Sequence, residues 1–329
     1  MKAKIFLLIL LVLFNPVACS QNPNAPMDAA VPPTSTPFAA ETEPILADDL
    51  ATPTPWVGGT QTAQAFASQA PSTTDVQAVI EKPTDFSPVL YGGKIYDSTF
   101  FLLLGGVGTD EWLAPDESAA RFSGEVTYSL HTLTQEYRYF LWGKVPELSP
   151  TCQNYFVKTD AVLDEAGFIG VVDGWNITKR AAAELSADVE FYQQAVLDWL
   201  ADGGVDDPQP GTLQIFRVDV EGDGSDEIFI SATRLDKSQH ATQAGDYSVV
   251  LMRRVAGNDA VTIPLVADIY SSKEIEITYP RTYSLANFID LNQDGVLEVV
   301  VDIQQWEGFG AIIYQIEGQD VHQALRVEC

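Results

Sequence analysis

Asp219-Val220-Glu221-Gly222-Asp223-Gly224-Ser225-Asp226-Glu227 sets five carboxylates and two glycines between two apolar runs, Ile215-Phe216-Arg217-Val218 and Ile228-Phe229-Ile230. Like charges at this density repel one another. A folded chain that keeps them together needs a positive charge nearby. The stretch also recurs. With an offset of 71 residues, Asp290-Leu291-Asn292-Gln293-Asp294-Gly295-Val296-Leu297-Glu298 falls on the first copy. Asp219 then matches Asp290, Glu221 matches Asn292, Asp223 matches Asp294, Gly224 matches Gly295, and Glu227 matches Glu298. Further on, Tyr247 to Leu265 corresponds to Gly310 to Val327. Each copy reads strand, acidic loop, strand, turn, strand, turn, strand, with Gly257-Asn258-Asp259 and Gly318-Gln319-Asp320 as turn residues. Four antiparallel strands make up one propeller blade.

The loop pattern is D-x-[EN]-x-D-G-x-x-E. Oxygen donors at the first, third and fifth positions converge as the backbone curls, and glycine at the sixth permits the sharp turn. The seventh position offers a backbone carbonyl, from Ser225 in one loop and Val296 in the other, and the ninth adds a carboxylate. Hard oxygen donors in this number suit Ca²⁺. The spacing therefore predicts two Ca²⁺ sites. Asp219, Glu221, Asp223, Ser225 and Glu227 form the first; Asp290, Asn292, Asp294, Val296 and Glu298 form the second. With one more carboxylate, the first loop is expected to bind more tightly, in the range of extracellular modules, about 10⁻⁴–10⁻³ M. Asp226, at the eighth position, is expected to face solvent. An EF-hand does not fit: its twelfth position needs a bidentate Glu but holds Ile230 and Val301, and both loops run into β-branched strands.

Residues 212–329, divided as 212–281 and 282–329, resemble the FG-GAP and VCBS repeats. These are the calcium-loop blades of integrin-like β-propellers and of many exported bacterial proteins. The resemblance implies blade-like sheets with Ca²⁺ held between adjacent strands. Of the family's Phe-Gly…Gly-Ala-Pro text only Phe309-Gly310-Ala311 remains. Two units are also too few to close a propeller, which takes about four to eight blades.

The segment ahead of the repeats, 87–211, reads as α+β. Strand patterns cover Lys94 to Val107, Glu125 to Leu133, Glu136 to Val145 and Ala166 to Trp175. Ala114-Pro115-Asp116-Glu117 opens a short helix. Leu185, Val189, Tyr192, Val196 and Trp199 recur at helical spacing and predict one long helix over 178–200, stopped by Asp202-Gly203-Gly204. The expected fold class is mainly β: an α+β first half, one long helix, then two four-stranded antiparallel units.

The start of the chain points to export. Lys2 and Lys4 precede a ten-residue apolar run, Ile5 to Phe14, too short to span a bilayer and suited to a secretory leader. Pro16-Val17-Ala18-Cys19 resembles a bacterial lipobox, with Pro16 where that family usually has leucine. The resemblance implies a signal peptide over 1–19 and lipidation of Cys19; ordinary cleavage after Ser20 is the alternative. Residues 20–86 are rich in Pro, Ala, Ser and Thr and read as a disordered tether. In an oxidising compartment the other two cysteines, Cys152 and Cys329, invite a disulfide. Closing so long a loop is worth about 4–5 kcal/mol in the chain-entropy model; two unrelated thiols are the alternative.

With 18 basic against 46 acidic residues, the surface repels nucleic acid, which is excluded as a partner. Neither a G-x-S-x-G elbow, an H-E-x-x-H pair, a Cys-x-x-Cys pair nor a phosphate loop is present. The three histidines, His131, His240 and His322, are scattered. These features predict a calcium-binding, lipid-anchored module facing outside the cytoplasm, more binding or structural than enzymatic. It would have the membrane and a protein or carbohydrate as partners. An exported hydrolase acting on polysaccharide or peptide, with the repeats as scaffold, is the alternative.

Overall fold

The computed structural model describes residues 85–329 apart from 96–97, 110, 134–135, 160–166, 236–240, 257–258, 271–275, 278–279 and 307. The leader, Cys19, nearly all of the tether, His240 and two residues of the Gly257-Asn258-Asp259 turn lie outside the described residues.

The chain is mainly β, in antiparallel sheets. The first sheet takes β1 (Phe86–Ile95), β2 (Ser98–Gly108), β3 (Trp112–Leu113) and, after helix α1 (Pro115–Ala120), β4 (Val126–His131), β5 (Glu136–Gly143), β6 (Glu147–Leu148), β7 (Tyr155–Val157) and β8 (Phe168–Val172). Its order is β5-β4-β8-β1-β2-β7-β6, with β3 also on β2. The second sheet begins with β9 (Ala183–Leu185). It continues past helix α2 (Glu190–Asp202) with β10 (Thr212–Val218), β11 (Glu227–Arg234), β13 (Asp246–Ala256) and β14 (Asp259–Tyr270), in the order β14-β13-β11-β10-β9. Two short strands, β12 (Ala241–Thr242) and β15 (Glu276–Ile277), pair with each other. The third sheet is a meander of β16 (Thr282–Ile289), β17 (Glu298–Gln304), β18 (Phe309–Glu317) and β19 (Asp320–Glu328).

Alternation along the strands explains how the sheets stack. In β17, Val299, Val301 and Ile303 join Phe216, Phe229, Val250 and Met252 of the second sheet in one core cluster. Val300 faces the other way, into a cluster with Val89, Tyr91, Leu102 and Leu104 of the first sheet. Side chains that point alternately to opposite faces thus put the third sheet in the middle, buried on both faces. Its near-continuous apolar text follows from that position. Asp302, within β17, accepts a hydrogen bond from the Tyr91 hydroxyl of the first sheet.

The two outer faces carry the helices. Val196 and Leu200 of α2 cover Ile215, Ile230, Val249 and Leu251 of the second sheet. Ala119 of α1 packs against Leu90, Phe101 and Tyr128 of the first. Phe288 of β16 locks the second and third sheets together, its ring centroid 4.9 Å from Phe229 and 6.1 Å from Phe216.

The helix differs from the sequence expectation. It starts at Glu190, not at 178. Thr178 instead bridges to Asp290, and Ala183–Leu185 pair with β10 at the edge of the second sheet. That edge offers unpaired backbone groups to a passing chain, and the pairing satisfies them before the helix begins. Val189 caps the helix and is exposed. The buried stripe consists of Ala195, Val196 and Leu200, with Tyr192 and Trp199 beside them. Asp202 and Gly203 end the helix at the expected place. The short helix expected to open at Ala114-Pro115 is α1, the only helix before residue 178 among the described residues.

Candidate metal-binding loops

Each acidic stretch connects the first two strands of a meander: 219–226 joins β10 to β11, and 290–297 joins β16 to β17. The two share most of their hydrogen bonds, position for position. Asp219 accepts hydrogen bonds from the backbone N–H of Gly222 (2.6 Å), Asp223 (3.2 Å) and Gly224 (2.9 Å). Asp290 accepts from Gln293 (2.7 Å) and Gly295 (3.1 Å). Asp223 accepts from Ser225 N–H and Asp294 from Val296 N–H, each at 2.7 Å. Glu227 accepts from Val220 N–H (3.2 Å), as Glu298 does from Leu291 N–H (2.7 Å). Gly224 and Gly295 share a left-handed backbone, φ 89° and 88°, which favours glycine.

The surroundings of the two loops differ. Gly222 to Asp226 are exposed, and Asp226 pairs with Arg217 at the surface (3.3 Å). Glu221 turns to Arg254 (2.7 Å) and accepts from Gly318 N–H (3.1 Å). Arg254 also lies 3.9 Å from the buried Glu227. In the second loop Asp290 and Glu298 are each only 2% exposed. Asn292 is buried and donates to Asp294 (2.8 Å). Among the described residues no basic side chain forms an ion pair with Asp290, Asp294 or Glu298.

The acidities follow. Burial, opposed by backbone hydrogen bonds from Gly224, Gly222 and Asp223, leaves Asp219 below the usual carboxylate range. Burial, outweighing the Val220 N–H and Arg254, raises Glu227. Burial, with the neighbouring charges of Asp294 and Asp290, pushes Glu298 up to about 8.

Arg180 joins the two loops. Its guanidinium donates to the carbonyls of Val220 (2.7 Å) and Asp219 (3.3 Å) in one and of Gly295 in the other. Leu297 N–H donates directly across to Val220 O (2.9 Å), and Trp175 Nε1 to Leu291 O (2.8 Å). Sequence reasoning missed Arg180, because it lies in the segment read as helix and nothing in its neighbourhood resembles a motif.

Among the described residues, no three His, Cys, Asp or Glu side chains are already grouped to hold a metal ion. Both loops present hard oxygen donors on a curled backbone, and in the second Asp290 and Glu298 are buried; the oxygens as placed serve backbone N–H groups. Elsewhere, Cys152 and Cys329 are joined as a disulfide, with Cα atoms 5.1 Å apart. No helix among the described residues is long and apolar enough to cross a membrane. Comparison of the chain with family models, with curated proteins and with solved structures found no match.

Proposed function

We propose that the protein is an exported, lipid-anchored, calcium-stabilised β module with a binding or structural role, held away from the membrane by its tether. One observation carries the calcium reading: Asp290 and Glu298 are buried beside Asp294, and among the described residues no basic side chain is paired to them. A buried ion without a partner costs several kcal/mol, and a divalent cation supplies that partner. In the second loop Asp290, Asp294 and Glu298, the Asn292 side-chain oxygen and the Val296 carbonyl would hold it. In the first, Asp219, Asp223, Glu227 and the Ser225 carbonyl would do so. Glu221 already serves Arg254, so we place the tighter site at the second loop, against the count of acids.

The two meanders are read as duplicated, blade-like units. Besides the shared loop bonds, both carry a register shift at the same place in the third strand of the unit, between Val250 and Leu251 and between Ile313 and Tyr314. The deciding experiment is thermal unfolding of EGTA-treated protein with and without millimolar Ca²⁺. At a Kd of about 10⁻⁴ M, 1 mM Ca²⁺ is about tenfold in excess and stabilises by about 1.4 kcal/mol per site, so the midpoint should rise by a few degrees; an unchanged midpoint ends the reading.

A further inference from the structure

A cavity of about 690 Å³ opens where the β2–β7 edge of the first sheet meets the end of the third. Its floor is aromatic. Phe101 and Phe309 are 2% and 0% exposed. Phe100, partly exposed, lies 6.3 Å edge-on from Phe156 and 6.1 Å from Phe309. The rim is the strand-and-turn segment 144–150. That segment leaves Leu148 more than half exposed beside the opening, although a large apolar side chain in water carries an unfavourable free energy. The wall is held to the end of β19 by the Cys152–Cys329 disulfide and by Asn154 Nδ2 donating to Glu328 O.

Lys144, Lys158 and the acidic Glu147 line it. Lys158 is paired with Glu147 at 2.6 Å. The exposed side chain of Lys144 makes no ion pair or hydrogen bond among the described residues; only its backbone N–H is engaged, with Lys158 O. A free ammonium beside an apolar floor is unusual in a chain with 18 basic and 46 acidic residues. Cavities of roughly 300–1,000 Å³ that combine apolar walls with a few placed polar groups are the usual form of a small-molecule site.

We propose that this cavity binds a small amphipathic anion, whose apolar chain or ring lies on Phe100 and Phe156 and whose single anionic head meets Lys144. The site is separate from the acidic loops and goes beyond the calcium reading. Calorimetric titration of the full chain with decanoate and with decylammonium tests it, in EGTA and again in Ca²⁺. The negative chain as a whole attracts the cation and repels the anion, so a preference for decanoate must come from a local site. Saturable one-to-one binding of decanoate, about tenfold tighter than decylammonium, is expected, since a charge-assisted contact is worth roughly 1.5–3 kcal/mol. Lys144→Met should abolish that preference, Lys144→Arg should keep it, and Leu148→Asp, at an exposed position, should weaken decanoate alone. The proposal is overturned if neither amphiphile saturates, if both bind equally, or if Lys144→Met behaves as the unaltered protein.

Discussion

The two acidic loops share their backbone bonds and differ in what surrounds them. The first lies in solvent, with Arg254 already against Glu221 and Glu227. The second is buried at both ends, where Asp290 and Glu298 have no ion-pair partner among the described residues, while Gln293 and Asp294 at its tip are exposed. By count of acids the first loop has the greater need of a cation; by burial the second does. Burial governs, because water and arginine neutralise the first loop's charges in place, whereas a desolvated carboxylate keeps its cost until something charged arrives. Each prediction below changes one side of this contrast.

The largest effect is expected at Glu298. Its folded-state value, near 8, lies above the ordinary 4.5 of an unfolded glutamate. Between those values the native chain holds more protons than the unfolded one, so stability falls as pH rises. The contribution is complete below pH 4.5 and lost as pH passes through 8, at most about 5 kcal/mol in all. Metal-free protein should therefore melt at progressively lower temperature from pH 5 to pH 8.5. Glu298→Gln can still accept from Leu291 N–H, and should flatten the decline and be the more stable form at pH 8. In millimolar Ca²⁺ the order should reverse, because the variant has lost a ligand. Calorimetry of both forms with EGTA and with Ca²⁺ decides it: a native midpoint independent of pH, or a variant that responds to Ca²⁺ undiminished, would break the contrast.

Much of this was legible in the residues. Alternation and turn text located the strands of both meanders, and the nine-residue spacing located the loops. Two features were not legible, and for the same reason. Val299 and Val300 look alike in sequence, yet one faces the second sheet and the other the first; only the stacking order shows that the last sheet is the middle layer. Likewise, the partner that removes Glu221 from the metal set, Arg254, is 33 residues away on β13, and Arg180 reaches both loops from a segment whose periodicity suggested helix. Local patterns record which residues need burial, while long-range pairing decides which charges need a counter-ion.

The next largest effect is at Arg254. Its guanidinium, held above its ordinary acidity range chiefly by the hydrogen bond to Glu221, is the first loop's built-in cation. Arg254→Met should leave Glu221 and the buried Glu227 uncompensated and lower metal-free stability by about 2 kcal/mol, less than for a fully buried pair because the arginine and Glu221 retain some solvent. Ca²⁺ should restore most of that loss, and the first loop should then bind the ion several-fold more tightly. Titration of the variant with Ca²⁺ by calorimetry would sharpen the comparison, since the two loops should become more alike. If the affinity of the first loop falls, Arg254 organises the loop and does not substitute for an ion.

The smallest effect concerns the joint between the loops. Arg180 bonds the carbonyls of Asp219 and Val220 on one side and Gly295 on the other. The buried Val220 carbonyl keeps its bond from Leu297 N–H, and Asp219 and Gly295 are partly exposed, so Arg180→Met should cost only about 1 kcal/mol of stability. Its larger consequence is for coupling. Two sites that share a rigid bridge influence each other reciprocally, so ion binding at the second loop should order the first through Arg180 and the Leu297–Val220 hydrogen bond. In the variant only the backbone bond remains. With the second loop emptied by Glu298→Gln, the first loop of the otherwise native chain should bind Ca²⁺ more weakly; the same change in an Arg180→Met background should alter the first loop much less. Equal effects of Glu298→Gln in both backgrounds would mean that the two loops respond independently and that the guanidinium only ties their backbones together.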